Sequence, residues 1–223
     1  AKGALVYFVR NGIPSGCPAT AILNSIVNHC VLADSWLSIM QNEPFYEHLA
    51  TMSAFFEHTS SIFYGDDFIM NIRHSVIDLY NQETLTQVLK TNLDMDMTDE
   101  AKTGDIVKAR KLADVSFLKR KFRFEESIQL WVSPIDINVL LDAPNWVRAG
   151  NASALQICVD TLSTYCLTEL ALHDRDVDEY WRPKMVACGL NITRGTGITF
   201  NPDSRRSVLA KFRNEQLNTE INF

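Results

Sequence analysis

Residues Ser60 to Ile72, SSIFYGDDFIMNI, constrain the fold more tightly than any other stretch, because two short apolar runs meet there at Gly65-Asp66-Asp67. Strand alternation puts Ile62 and Tyr64 on one side and continues through Phe68, Met70 and Ile72 beyond the turn, which predicts a β-hairpin with adjacent carboxylates at its tip. Two like charges side by side repel each other, so the pair makes physical sense where a cation sits against it. Gly65 permits positive φ and leaves no side chain between the carboxylates and an approaching group. These residues point to a divalent-metal site for phosphate chemistry. The alternative is an exposed turn made of common turn formers.

The rest of the chain can support such a site. Its 223 residues, 46% of them hydrophobic, are enough to bury a core in one or two domains. No run of eighteen apolar residues occurs, so no membrane span is expected. Five cysteines without a C-x-x-C pair argue against a disulfide framework or a standard zinc site and fit a reducing, cytosolic setting. Ala1-Lys2-Gly3 has neither an initiator Met nor a signal-peptide pattern, which is expected of a piece of a longer chain. The net charge of −6 speaks against a generally basic nucleic-acid binder. Locally the balance reverses: Lys108, Arg110, Lys111, Lys119, Arg120, Lys121 and Arg123 face only Asp114 within their own window. Such clustering predicts a phosphate-contacting surface.

Read in order, Leu5 to Val9 is a short strand, and Asn11 to Pro18 is a loop punctuated by Gly12, Pro14, Gly16 and Pro18. A long helix follows, with Ile22, Ile26, Cys30, Leu37 and Met40 as its apolar face and Thr20 and Asn24 on a polar stripe. The loop thus opens a helix, where free N–H groups and the dipole suit an anion, and Ser15 adds a hydroxyl. A P-loop is excluded because no lysine lies between Asn11 and Asn28, and a serine-hydrolase elbow because the order is Gly12-Ile13-Pro14-Ser15-Gly16. A capped helix start with structural glycines remains the alternative.

Pro44 opens a second helical segment with Phe45, Leu49, Met52 and Phe56 as its packing face. A third helix is expected from Ser75 to Lys90 and a short strand from Leu93 to Met97, followed by a polar loop holding Lys102. Val115 to Phe124 and Ser127 to Val132 predict a second hairpin, with Lys119, Lys121 and Arg123 on one face and Arg120 on the other. After Pro134 the pattern is helical over Ile135–Leu141, Ser153–His173 and Asp176–Cys188. The fold class is therefore α+β, with a boundary near residue 133 and a polar, partly ordered tail over 191–223.

Four of these segments, in this order, resemble one family. Gly12-Ile13-Pro14-Ser15-Gly16-Cys17 with Thr20 and Asn24, then Tyr64-Gly65-Asp66-Asp67, then Met97-Thr98 with Lys102, then Phe117-Leu118-Lys119-Arg120 are similar to the C-terminal half of a picornavirus-like RNA-dependent RNA polymerase. Such enzymes occur in picornaviruses, dicistroviruses and iflaviruses. The resemblance runs from residue 5 to about 190. It implies a partial right-hand polymerase: a palm of antiparallel hairpins packed on helices over 1–133, then a helical thumb over 134–190. The family's first metal-binding aspartate and its fingers are not in this sequence, which implies a fragment inactive alone.

The resemblance further implies roles. Asp66 and Asp67 would bind Mg²⁺ or Mn²⁺, and Lys102 would protonate the departing pyrophosphate. Ser15, Gly16, Thr20 and Asn24 would hold the ribonucleotide, and Lys119, Arg120 and Lys121 would grip RNA. The implied partners are an RNA template and primer, ribonucleoside triphosphates and the rest of the viral polyprotein. The implied setting is the host cytoplasm at membrane-associated replication complexes. A reverse transcriptase shares the Tyr-x-Asp-Asp hairpin but not the Pro-Ser-Gly-Cys loop. A non-catalytic RNA-binding piece is the remaining alternative.

Overall fold

The structure, a computed structural model, describes residues 19–100, 102–146 and 153–221. The strand expected over 5–9 and the loop with Ser15 and Gly16 lie outside them. The chain divides into two compact units, residues 1–110 and 111–223. It is α+β, with small antiparallel hairpins set among helices.

In the first unit, helix α1 (Thr20–Gln41) is followed by a 3₁₀ turn, a short α2 (Met52–His58), hairpin strands β1 (Thr59–Tyr64) and β2 (Asp67–Ile72), and α3 (Gln82–Leu93). The core is aromatic: Trp36, Phe55 and Tyr80 are fully buried and meet edge to face, with ring centroids 5.1 to 6.5 Å apart. Burying rings of this size contributes roughly 2–3 kcal/mol each. Tyr80 and Trp36 satisfy their polar ends on backbone carbonyls, Leu32 O and Leu49 O, each at 2.8 Å. Burial accordingly pushes the Tyr80 phenol well above its ordinary pKa.

Several expectations need correcting in this unit. Phe45, Met52 and Phe56 are exposed and Phe55 takes the core position, because the segment breaks into a 3₁₀ turn and a new helix capped by the Thr51 side chain. Helix α3 starts at Gln82 instead of Ser75. Asn81 builds a capping box there, accepting from the Glu83 and Thr84 N–H groups while the Thr84 hydroxyl accepts from Asn81 N–H. Asp94 at φ +51° ends that helix, and 94–99 follows as coil where a strand was expected. On α1, Ile22, Ile26 and Cys30 face solvent; the buried set begins at Leu32.

In the second unit the basic region folds as two short hairpins, β3 (Ser116–Phe117) with β4 (Arg120–Lys121) and β5 (Arg123–Glu125) with β6 (Leu130–Val132), where one longer hairpin was expected. The division between units falls ahead of these hairpins, whereas the change of character near residue 133 falls behind them. The physical reason is that Arg120 and Arg123 bind acids and a carbonyl of the helical part, Glu169, Asp174 and Leu172.

Helix α4 (Ile137–Asp142) follows. The long helix expected over 153–173 is α5 (Ala154–Asp160), a π-helical turn over Thr161–Cys166 and α6 (Leu167–Leu170). Helix α7 (Arg175–Thr193) packs on this group around Leu140, Leu162, Leu170 and Met185. Gly189 is required there, since a Cβ would collide with the buried Phe200 ring. The tail is not a loose polar segment: α8 (Arg205–Ile221) buries Val208 and Leu209, and Leu209 joins Ile128, Val132 and Leu172 in a small core. Among the described residues, no helix is long and apolar enough to cross a membrane.

Candidate active site

The hairpin tip is a two-residue turn. Tyr64 pairs with Asp67 as the last rung, and Gly65 at φ +68° with Asp66 makes the connection. Positive φ at the first turn residue is the pattern of a type II′ turn, whose twist matches the strands on either side. The tight connection also corrects the expected faces. Phe63 pairs with Phe68, Ser61 with Met70 and Thr59 with Ile72, so this set looks into the core while Ile62 and Tyr64 stand in solvent. Asp66 and Asp67 follow the solvent side and are both exposed.

Helix α1 holds this turn. The Gly65 N–H donates to Ser25 Oγ at 2.9 Å, and Asn28 Nδ2 donates to the Gly65 carbonyl, also at 2.9 Å. The Ser25 hydroxyl donates in turn to Ala21 O at 2.7 Å, leaving its lone pairs for Gly65. Ala21, Ser25 and Asn28 form one stripe of the helix at i, i+4 and i+7. Thr20 and Asn24 lie beside that stripe, both half-buried. The side chains of this helix that meet the hairpin turn are Ser25 and Asn28. Ser25 and Asn28 were not among the residues singled out from sequence, because their partners are backbone groups of Gly65, remote along the chain.

Lys102 sits in a built loop of the same unit. Its N–H donates to Asp99 O at 3.0 Å, and its backbone takes the left-handed φ of +54°. Asp99 is the centre of that loop: its buried carboxylate accepts from the Gly104 N–H at 3.1 Å and the Thr103 hydroxyl at 3.0 Å. Arg110 lies 3.9 Å from it and pairs with Glu100 at 2.7 Å. A non-glycine residue held at positive φ costs about 1 kcal/mol, a cost the loop's hydrogen bonds offset, and Lys102 stands exposed.

Four of the seven cations of the expected basic surface pair with acids outside the 108–123 window. Lys108 pairs with Asp78, Arg110 with Glu100, Arg123 with Glu125 and Asp174. Arg120 forks onto Glu169 with two bonds of 2.8 Å and donates to Ser133 O at 2.7 Å, so its guanidinium serves the fold. Glu169 raises the Arg120 pKa further, chiefly through those bonds. Lys111, Lys119 and Lys121 keep exposed heads.

As metal ligands, Asp66 and Asp67 supply hard carboxylate oxygens open to solvent. That donor set fits a cation such as Mg²⁺, which retains waters and takes phosphate oxygens beside one or two carboxylates. They do not form a closed cage, and among the described residues no group of three or more His, Cys, Asp or Glu side chains could hold a metal.

The chain is 43% identical over 143 residues to the replicase polyprotein of Drosophila C virus, a match covering 64% of this chain and 8% of that polyprotein. With the replicase polyprotein of Cricket paralysis virus it shares 34% over 146 residues, covering 66% of this chain and 8% of the relative. A solved sicinivirus 3Dpol RNA-dependent RNA polymerase superposes with a TM-score of 0.58 at 18% identity, over 88% of this chain and 36% of its own, which shows a shared fold. This chain therefore spans under a tenth of those polyproteins and about a third of the solved polymerase. A sequence profile of the viral RNA-dependent RNA polymerase family matches residues 2–186, and the chain belongs to that family.

Proposed function

We propose that this chain is the part of a viral RNA-dependent RNA polymerase that carries its metal-binding hairpin, ribose-reading helix and proton-donating lysine. The observation that carries the proposal is the exposed Asp66-Asp67 pair on a turn hydrogen-bonded to the helix that bears Thr20 and Asn24. A divalent cation, Mg²⁺ or Mn²⁺, supplies charge stabilisation at the attacking and leaving oxygens when bound. Asp66 is its main protein ligand here, and Asp67 the weaker one.

Asn24 and Ser15 hydrogen-bond the ribose, with Thr20 supporting them and Gly16 in the same nucleotide-binding motif, and a contact to the 2′-hydroxyl separates RNA from DNA precursors. Lys102 donates a proton to the departing pyrophosphate, a general-acid contribution of roughly 10²- to 10⁴-fold. Lys119 and Lys121 hold backbone phosphates of the primer strand, which position RNA without reading its sequence. Arg120, committed to Glu169, supports that hairpin from behind. In this reading residues 1–133 belong to the palm, the helices after 133 form the thumb along the product duplex, and the chain needs the remainder of the polymerase to act. Its place of work is the host cytoplasm, within replication complexes on membranes.

The test is primer extension on an RNA template by the full-length polymerase containing this segment, with ribo- and deoxyribonucleotides compared. Preference for ribonucleotides, weakened at least tenfold by Asn24→Ala, supports the proposal. Preference for deoxyribonucleotides favours a reverse transcriptase, and no extension with either favours a non-catalytic RNA-binding role.

A further inference from the structure

We propose that Ser25 and Asn28 are positioning residues that set where the Asp66 and Asp67 carboxylates stand, and thereby set metal affinity. The inference rests on the reading of those carboxylates as metal ligands. In an ordinary two-residue hairpin turn, the N–H and C=O of the first turn residue project into water and the peptide planes on either side can rock. Here Gly65 is buried, and both of its polar groups are captured by side chains of one helix at 2.9 Å. The Ser25 hydroxyl cannot reorient freely, because its proton is committed to Ala21 O at 2.7 Å. The peptides joining Tyr64, Gly65 and Asp66 are therefore pinned immediately before the two acids.

Space alone does not explain the glycine, since a Cβ at Gly65 would meet Ala21 Cα at an ordinary 3.9 Å. The requirement is the left-handed backbone at φ +68°, the conformation in which Gly65 presents its N–H and C=O to the helix. Ser25 is also the neighbour of Asn24, so the ribose-reading residue and the clamp share one turn of helix. Groups that orient metal ligands commonly shift metal affinity by about 10- to 100-fold when removed. Ser25 and Asn28 act in that way through the backbone, without touching the metal or the substrate.

Two measurements test this. In the full-length polymerase, amide hydrogen exchange at Gly65 is expected to quicken at least tenfold in Ser25→Ala and to return toward the original rate in Ser25→Thr, which keeps the hydroxyl. In the full-length polymerase, Ser25→Ala and Asn28→Ala are expected to raise the Mn²⁺ concentration for half-maximal nucleotide addition about tenfold, with the thermal midpoint unchanged and Ser25→Thr restoring the requirement. Unchanged Gly65 exchange in Ser25→Ala overturns the clamp. Faster exchange with an unchanged Mn²⁺ requirement overturns its link to the metal. Failure of the underlying reading has a different signature: Asp66→Asn would leave nucleotide addition intact whatever the Gly65 amide does.

Discussion

Asp66→Asn in the full-length polymerase is expected to lower the rate of nucleotide addition roughly 10³-fold or more, about 4 kcal/mol of transition-state stabilisation. Asn keeps the size and turn preference of Asp while removing the charge that a hard cation needs. Asp66 is exposed at the second position of the turn, so the variant should fold as the parent does, within about 0.5 kcal/mol. Single-turnover extension at saturating ribonucleotide, with a thermal melt alongside, separates the two effects. Asp67→Asn is expected to cost less, because Asp67 opens strand β2 and is the weaker ligand in the proposed mechanism.

The second large effect concerns stability. Glu125 is buried in the second unit, where Arg123 and Arg205 bind one carboxylate oxygen at 2.9 and 2.8 Å and Ser127 binds the other at 2.6 Å. Burial raises its pKa, but hydrogen bonds from Ser127, Arg123 and Arg205 outweigh burial and hold it at about 2 instead of 4.5. A depressed carboxylate contributes stability that is fully present above its unfolded value and is lost as pH falls through its folded value. The window is therefore about pH 4.5 down to about 2, and the contribution is on the order of 3 kcal/mol.

Glu125→Gln is expected to destabilise the second unit by about 3 kcal/mol at neutral pH, because two arginines lose their common charge partner. Urea unfolding followed by amide exchange in β5 and β6 reads this out. The difference between parent and variant should vanish toward pH 2. A constant difference across that window would show that the carboxylate's charge is not what the arginines require.

Much of this molecule was legible in short-range pattern. The alternation around Gly65 announced the hairpin, and helical spacing announced α1, α4 and α7. Which face each element buries was less legible, because that depends on partners remote in sequence. The turn has two residues, so Phe63 meets Phe68 and the exposed side is the one carrying Ile62 and Tyr64. On α1 the hairpin lies against a small polar stripe, whereas an apolar-face rule pointed to Ile22 and Ile26.

The same limit applies to charge. A local count found seven cations but could not see Asp78, Glu100, Glu169 or Asp174 folding back onto four of them. Likewise the tail reads as polar because its buried residues are few: Val208 and Leu209, with Phe212 packed alongside, suffice to dock α8. For the candidate site, the adjacent acids Asp66 and Asp67 stand out in the sequence itself, whereas Lys102 is singled out only through the family resemblance. The residues that hold them in place, Ser25, Asn28 and Asp99, act through backbone groups and emerge only from the hydrogen bonds.

In the proposed mechanism the two acids at the glycine turn hold a divalent metal. Iron-directed cleavage tests it most directly: Fe²⁺ replaces the metal in the full-length polymerase, ascorbate and peroxide generate hydroxyl radicals there, and the cut sites are read by mass spectrometry. Cuts beside Gly65, Asp66 and Asp67 that Mg²⁺ suppresses by competition and that disappear in Asp66→Asn are the expected result. A cleavage pattern that spares this turn, or one that Asp66→Asn leaves unchanged, would contradict it.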